Sequence, residues 1–135
     1  MSRNMRAFGP PPSLEEMEAL ARAALNGLPD PFATHLREVL LSVEELADDQ
    51  TLSSVGLEEP FDLTGIYEGV PIGDKSVESS GAMPDRIRLF RRPILDEWAD
   101  TGVPLEVLVR HVLIHEVGHH FGLSDRDMHA LEESA

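Results

Sequence analysis

The segment VPLEVLVRHVLIHEVGHHFG, residues 103 to 122, constrains this chain more than any other. Successive residues of an α-helix turn by about 100°, so Leu105, Val107, Leu108, Val109, Val112, Leu113, Ile114, Val117 and Phe121 together cover nearly every direction round the axis. A helix apolar on all sides is a buried one. Other elements must therefore pack around it, and Pro104 at its start and Gly122 just past its end mark its limits.

Those other elements come from a chain of 135 residues, 41% apolar and 27% charged, a globular composition at the size of one ordinary domain. Residues 1 to 12 end in GPPP and read as a flexible lead-in, leaving residues 13 to 135 as a single domain. SLEEMEALARAALNGLP predicts a helix with Ser13 as N-cap, Glu16 completing a capping box, and Gly27 and Pro29 as stop signals. DPFATHLREV predicts a short second helix with Asp30 as cap and Pro31 in its first turn. Three stretches read as strands: Val39 to Leu46, FDLTGIYEGVP and RIRLFRR. In the last, Ile87 and Leu89 face inward, with Arg86, Arg88, Arg91 and Arg92 on a wet face. DDQTLSSVGLEEP and GDKSVESSGAMPD read as loops, and PILDEWADTG as a short helical turn. A last short helix, RDMHALEE, follows a cap at Ser124 or Asp125.

Charge and composition exclude several classes of partner. With 25 acidic against 11 basic side chains the formal charge is -14, a field that repels nucleic-acid phosphates and anionic lipid headgroups. No nucleic acid and no membrane are expected as partners. The chain has no cysteine, so a metal must sit on His, Asp or Glu. Neither a signal-peptide h-region nor a membrane-length apolar run is present, and a soluble, cytoplasmic protein is the expectation. The oligomeric state is not readable.

The polar residues of HEVGHHFGLSD, 115 to 125, need a reason to sit on a buried helix. His115 and His119 point about 40° apart, one turn from each other, so two imidazoles can reach one ion. Past Gly122 the chain can turn back and bring Asp125 to the same ion, leaving a fourth position open on a tetrahedral zinc. Asp125 can instead cap the next helix, in which case Ser124, Asp127, His129 or water completes the set. Glu116, about 100° round from His115, can act as the base on an activated water. If His115 and His119 were only core histidines bonded to backbone or carboxylates, Glu116 would have no explanation. His111, one turn before His115, is a packed histidine or a donor behind the ligands; His120 projects away and reads as packing or surface. Tyr67 is a strand tyrosine at a sheet edge or a donor to an oxyanion.

HEVGHHFGLSD has the form HExxHxxGxxD and resembles the zinc signature of the zincin metallopeptidases, in the metzincin-like version where a glycine turn brings in a third ligand. With LEEMEALARAALNGLP, GIYEGVP, MPDRIRLFRRPI and VRHVLIHEVGHHFGLSD, residues 13 to about 131 are similar to small bacterial zincin-like, minimal metalloprotease-like domains. The resemblance implies an α+β fold in which a small mixed sheet of three to four strands packs on helices with the HExxH helix central. It implies zinc ligands at His115, His119 and Asp125 and a general base at Glu116. The chain departs from metzincins in one respect: only ten residues follow Asp125, and Met128 is too near and too helical to form their methionine turn.

The expected function is thus a zinc-dependent metallopeptidase that hydrolyses a peptide or protein lying as an added strand against the sheet edge. The alternative is a zinc-stabilised binding or regulatory module that turns over little or nothing. Glu116 favours the enzyme, because a structural site has no use for a base. The spacing HxxxHxxxxxH of metallo-endoribonucleases is close, yet the last ligand here is Asp, a Glu follows the first His, and the charge is wrong for RNA. The four arginines suggest a preference for acidic peptides.

Overall fold

The computed structural model describes residues 10 to 69 and 85 to 134. In chain order the elements are α1 (Leu14–Asn26), α2 (Phe32–His35), β1 (Leu40–Glu44), α3 (Asp49–Ser54), a 3-10 turn (Pro60–Asp62), β2 (Gly65–Glu68), β3 (Arg86–Phe90), α4 (Arg91–Thr101), α5 (Leu105–Phe121) and α6 (Asp125–Ser134). The fold is α+β, with a small mixed sheet and six α-helices among the described residues. Residues 1 to 9 of the expected lead-in lie outside the described residues, as does nearly all of the expected loop at 73 to 85. Pro12, at the end of that lead-in, is buried, and its carbonyl accepts from Arg91 Nε at 2.7 Å.

β3 is the middle strand, parallel to β1 and antiparallel to β2, in the order β1-β3-β2. The register sets Leu41 beside Ile87 and Val43 beside Leu89, and all four are buried in the larger core. Alternation along a strand sends the intervening residues to the other face. There Ile66 and Phe90 form a smaller core with Ala47 and Leu52.

The larger core is built on α5. Val109, Leu113, Ile114 and Val117 are at most 1% exposed, and α5 packs against α1, β2, β3, α4 and α6. Helix α1 forms as its capping signals predict: Glu16 N–H donates to Ser13 Oγ at 3.0 Å, and Ser13 N–H to Glu16 Oε1 at 2.8 Å. Its buried residues Met17, Ala21 and Leu25 repeat every four positions, a single stripe that lies in the same core as α5. Pro104 and Gly122 bound α5 where the sequence places them.

Four local expectations are corrected. The loop expected at 48 to 60 contains α3, whose first turn is closed by Asp48 accepting from Thr51 N–H at 2.8 Å. The second strand is only Gly65–Glu68, because Pro60 opens a 3-10 turn where the strand was expected to begin. The short turn at 93 to 102 is a full helix from Arg91 to Thr101.

The fourth correction concerns Arg88, expected on a wet face and in fact 6% exposed. The smaller core and α3 cover that face of the sheet. Arg88 forks onto Glu44 through Nη2 at 2.9 Å and Nε at 3.1 Å. Its Nη1 reaches Glu68 at 3.2 Å and Thr51 Oγ1 at 3.0 Å. Arg86 pairs with Glu68 and Arg91 with Glu45. Arg86, Arg88 and Arg91, offered by the sequence as a sign of acidic peptide substrates, are thus paired with glutamates of the fold itself.

The hydrogen bond from Arg88 holds the Glu44 carboxyl below its ordinary value, against the opposing effect of burial. A carboxylate with a lowered folded pKa stabilises the fold above its unfolded pKa and loses that contribution as pH falls through the folded value. Arg88→Met leaves Glu44 and Glu68 without their shared partner. It is expected to cost about 1–3 kcal/mol, less than for a fully buried pair because both glutamates are partly exposed. Thermal melts from pH 7 into acid should show a lower Tm and a shallower acid decline; a variant matching wild type at every pH would refute the network's role.

Candidate metal centre

The last two turns of α5 carry the polar residues. Their backbone is fixed by the apolar residues between them: Val112, Leu113, Ile114 and Val117 are buried in the core, leaving His115 and Glu116 half-buried and His119 exposed. Gly118 is the point of closest approach of α6, since a Cβ there would run into the Met128 thioether. Met128 is 3% exposed and helical, so it packs beneath the motif rather than forming a turn. Gly122 then ends α5 with φ 70°, a conformation that side-chain-bearing residues rarely adopt. The chain reverses there, and α6 begins three residues on.

At that start, Ser124 and not Asp125 is the cap: Asp127 N–H donates to Ser124 Oγ at 3.1 Å. Asp125 is the first residue of α6, exposed, with a charge that acts on His115. His115 and His119 lie edge to face with ring centroids 6.3 Å apart. Burial, and then His111, hold His115 below the ordinary histidine value, which favours the neutral ring that ligates metals.

Glu116 points to the sheet. Its Oε1 accepts the backbone N–H of Tyr67 in β2 at 3.0 Å. Burial raises its pKa, against the lowering effects of His119 and of that hydrogen bond. Among the described residues β2 pairs only with β3, so Glu116 stands at the edge of the described sheet. Tyr67 is in turn held firmly. Its ring stacks on His120 with centroids 4.1 Å apart, and its hydroxyl donates to Asp85 Oδ2 at 3.0 Å. Burial, together with the Asp85 charge and hydrogen bond, raises the phenol's pKa well above its ordinary value. His120 is buried with Nε2 3.7 Å from Asp85; its expected placement as packing holds, and Tyr67 is an edge-strand tyrosine committed to Asp85.

The two histidines, one turn apart, His115 half-buried and His119 exposed, with a carboxylate across the Gly122 turn, form a donor set suited to zinc. The ligand atoms of His115, His119 and Asp125 are not drawn together, however, as closely as another set. Among the described residues, those of His111, His115 and Glu132 lie within 4.8 Å of one another, and His111 Nδ1 and Glu132 Oε1 are in contact. Sequence reasoning missed Glu132, and also missed Tyr67 N–H as the partner of Glu116. The first follows from how α6 crosses α5 and the second from a backbone group, and neither leaves a mark in residue type or spacing.

A small mixed sheet beside a buried helix that carries HExxH defines an α+β domain with a candidate metal centre on its central helix. A family model for zincin-like metallopeptidases matches residues 36–135, and the chain belongs to that family. No curated protein matches it.

The buried carboxyl of Glu116 has a consequence for metal-free protein. A carboxyl whose folded pKa is raised loses stability as pH rises through that value, because folding favours its protonated form. Glu116→Gln cannot ionise and still offers an oxygen to Tyr67 N–H. Denaturant unfolding of chelator-treated protein should give near-equal stabilities in acid and an advantage to the variant by pH 7. Equal stability at both pH values would count against a buried, ionised Glu116.

Proposed function

We propose that this chain is a zinc-dependent peptidase that hydrolyses peptide bonds, with Glu116 as general base and His115, His119 and Asp125 as the residues that hold the ion. The observation that carries the reading is the fixed carboxylate of Glu116. It lies beside the HExxH histidines, is held by Tyr67 N–H, and stands at β2, the outer strand of the described sheet. A purely structural metal site gives no use to such a group.

Zinc in that seat would supply Lewis-acid polarisation of the scissile carbonyl and a lowered pKa for water. Glu116 accepts the proton of the attacking water and delivers it to the leaving amine nitrogen. Its raised pKa makes the carboxylate a stronger base than an ordinary glutamate, which suits the first half of that task, taking the proton from water. The peptide adds to β2 as a further strand, which brings its backbone past the glutamate. Tyr67, tied to Asp85 and stacked on His120, keeps β2 and the glutamate in register.

Mass spectrometry of a diverse peptide library should reveal definable cleavage sites with zinc-loaded wild type. With Glu116→Gln, carrying the same measured zinc, cleavage should be slower by about 100-fold or more. If neither protein cuts while both hold zinc, the peptidase reading falls and the zinc-stabilised binding module replaces it. Asp125→Ala should lose zinc to a mild chelator faster than wild type. Full occupancy in that variant would move the third-ligand role to another residue or to water.

A further inference from the structure

The convergence of His111, His115 and Glu132 shares His115 with the HExxH motif and takes its other two residues from outside it. His111 and His115 are i and i+4 on α5, on one face of the helix, with ring centroids 4.3 Å apart and planes tilted by 48°. Glu132 comes from α6, eight positions before which Ser124 starts the helix and four before which Met128 anchors it against Gly118. Leu131, buried beside it, fixes the rotation of α6. The glutamate is thereby set against His111 by the packing of two helices.

We propose that His111, His115 and Glu132 form a second seat for zinc or a similar first-row divalent ion, alternative to the seat on His115, His119 and Asp125. Two imidazoles and one carboxylate are a complete protein ligand set for zinc, and imidazole donors select against calcium and magnesium. Ligands about 2 Å from a tetrahedral ion stand roughly 3.4 Å from each other. The ligand atoms here already lie within 4.8 Å, and His111 and Glu132, exposed and half-buried, can separate enough to admit an ion between them. The two seats exclude each other, because a neutral imidazole has one acceptor nitrogen and both seats need that of His115. An ion in the second seat does not engage His119 or Asp125, so the protein holds metal in a form distinct from the one the motif describes.

Titration with Co2+ and Zn2+, followed by the cobalt absorption spectrum and by equilibrium dialysis, tests this without any assay of activity. His119 and Asp125 are exposed, so the paired substitution H119A/D125A leaves the core untouched. That variant is expected to bind one ion with a spectrum different from wild type. Adding E132Q or H111A to it should weaken binding by about tenfold or more, the loss that removal of even an outer partner of a metal causes. Wild type should bind one ion, and two would overturn the exclusion. If H119A/D125A binds no ion while wild type does, the second seat is refuted and the proposed catalytic seat stands. If H119A/D125A binds like wild type while H111A/E132Q binds nothing, the second seat stands and the proposed catalytic one falls.

Discussion

The polar end of α5 is tolerable against the core only because its buried groups find partners that apolar packing has first put in place. Glu116 rests on a backbone N–H of the edge strand. His120 lies against the Tyr67 ring and near Asp85, and His111 against Glu132. Burying Glu116 or His120 without a partner would cost about 1–3 kcal/mol, a large share of what keeps a protein of this size folded. The helix is therefore both the core of the fold and the place where its chemistry sits. What holds the helix still also aims the side chains.

The sheet depends on a second bargain of the same type. An acidic chain of formal charge -14 repels itself, and it encloses one arginine almost completely between two strands and a short helix. Arg88 gathers Glu44, Glu68 and Thr51, drawing groups from β1, β2 and α3 to the central strand. It thus joins all three strands from the face opposite the motif. No helix among the described residues is long and apolar enough to cross a membrane.

How much of this the sequence reveals differs by element. The limits of α1 and α5 are legible because each is marked by side chains that act locally: Ser13 and Glu16 in one case, Pro104 and Gly122 in the other. The placing of His115 and His119 on one face follows from helical periodicity alone. Helix α3 is hidden because DDQTLSS is polar enough to pass for a loop, although Asp48 three residues before Thr51 is a cap signal. The burial of Arg88 is not legible, since alternation assigns it a face without saying that α3 covers that face. The meeting of Glu132 with His111 depends on the angle between two helices, which no spacing within either one records.

The stripe of α1 on α5 bears on where the folding unit begins. The family match starts at residue 36, beyond α1, yet Met17, Ala21 and Leu25 belong to the same core as Val109, Leu113 and Val117. Cut at the edge of its family resemblance, the chain would uncover a strip of its central helix and present an adhesive apolar surface to its neighbours. The stretch that the family model matches is therefore smaller than the core in which its central helix is packed.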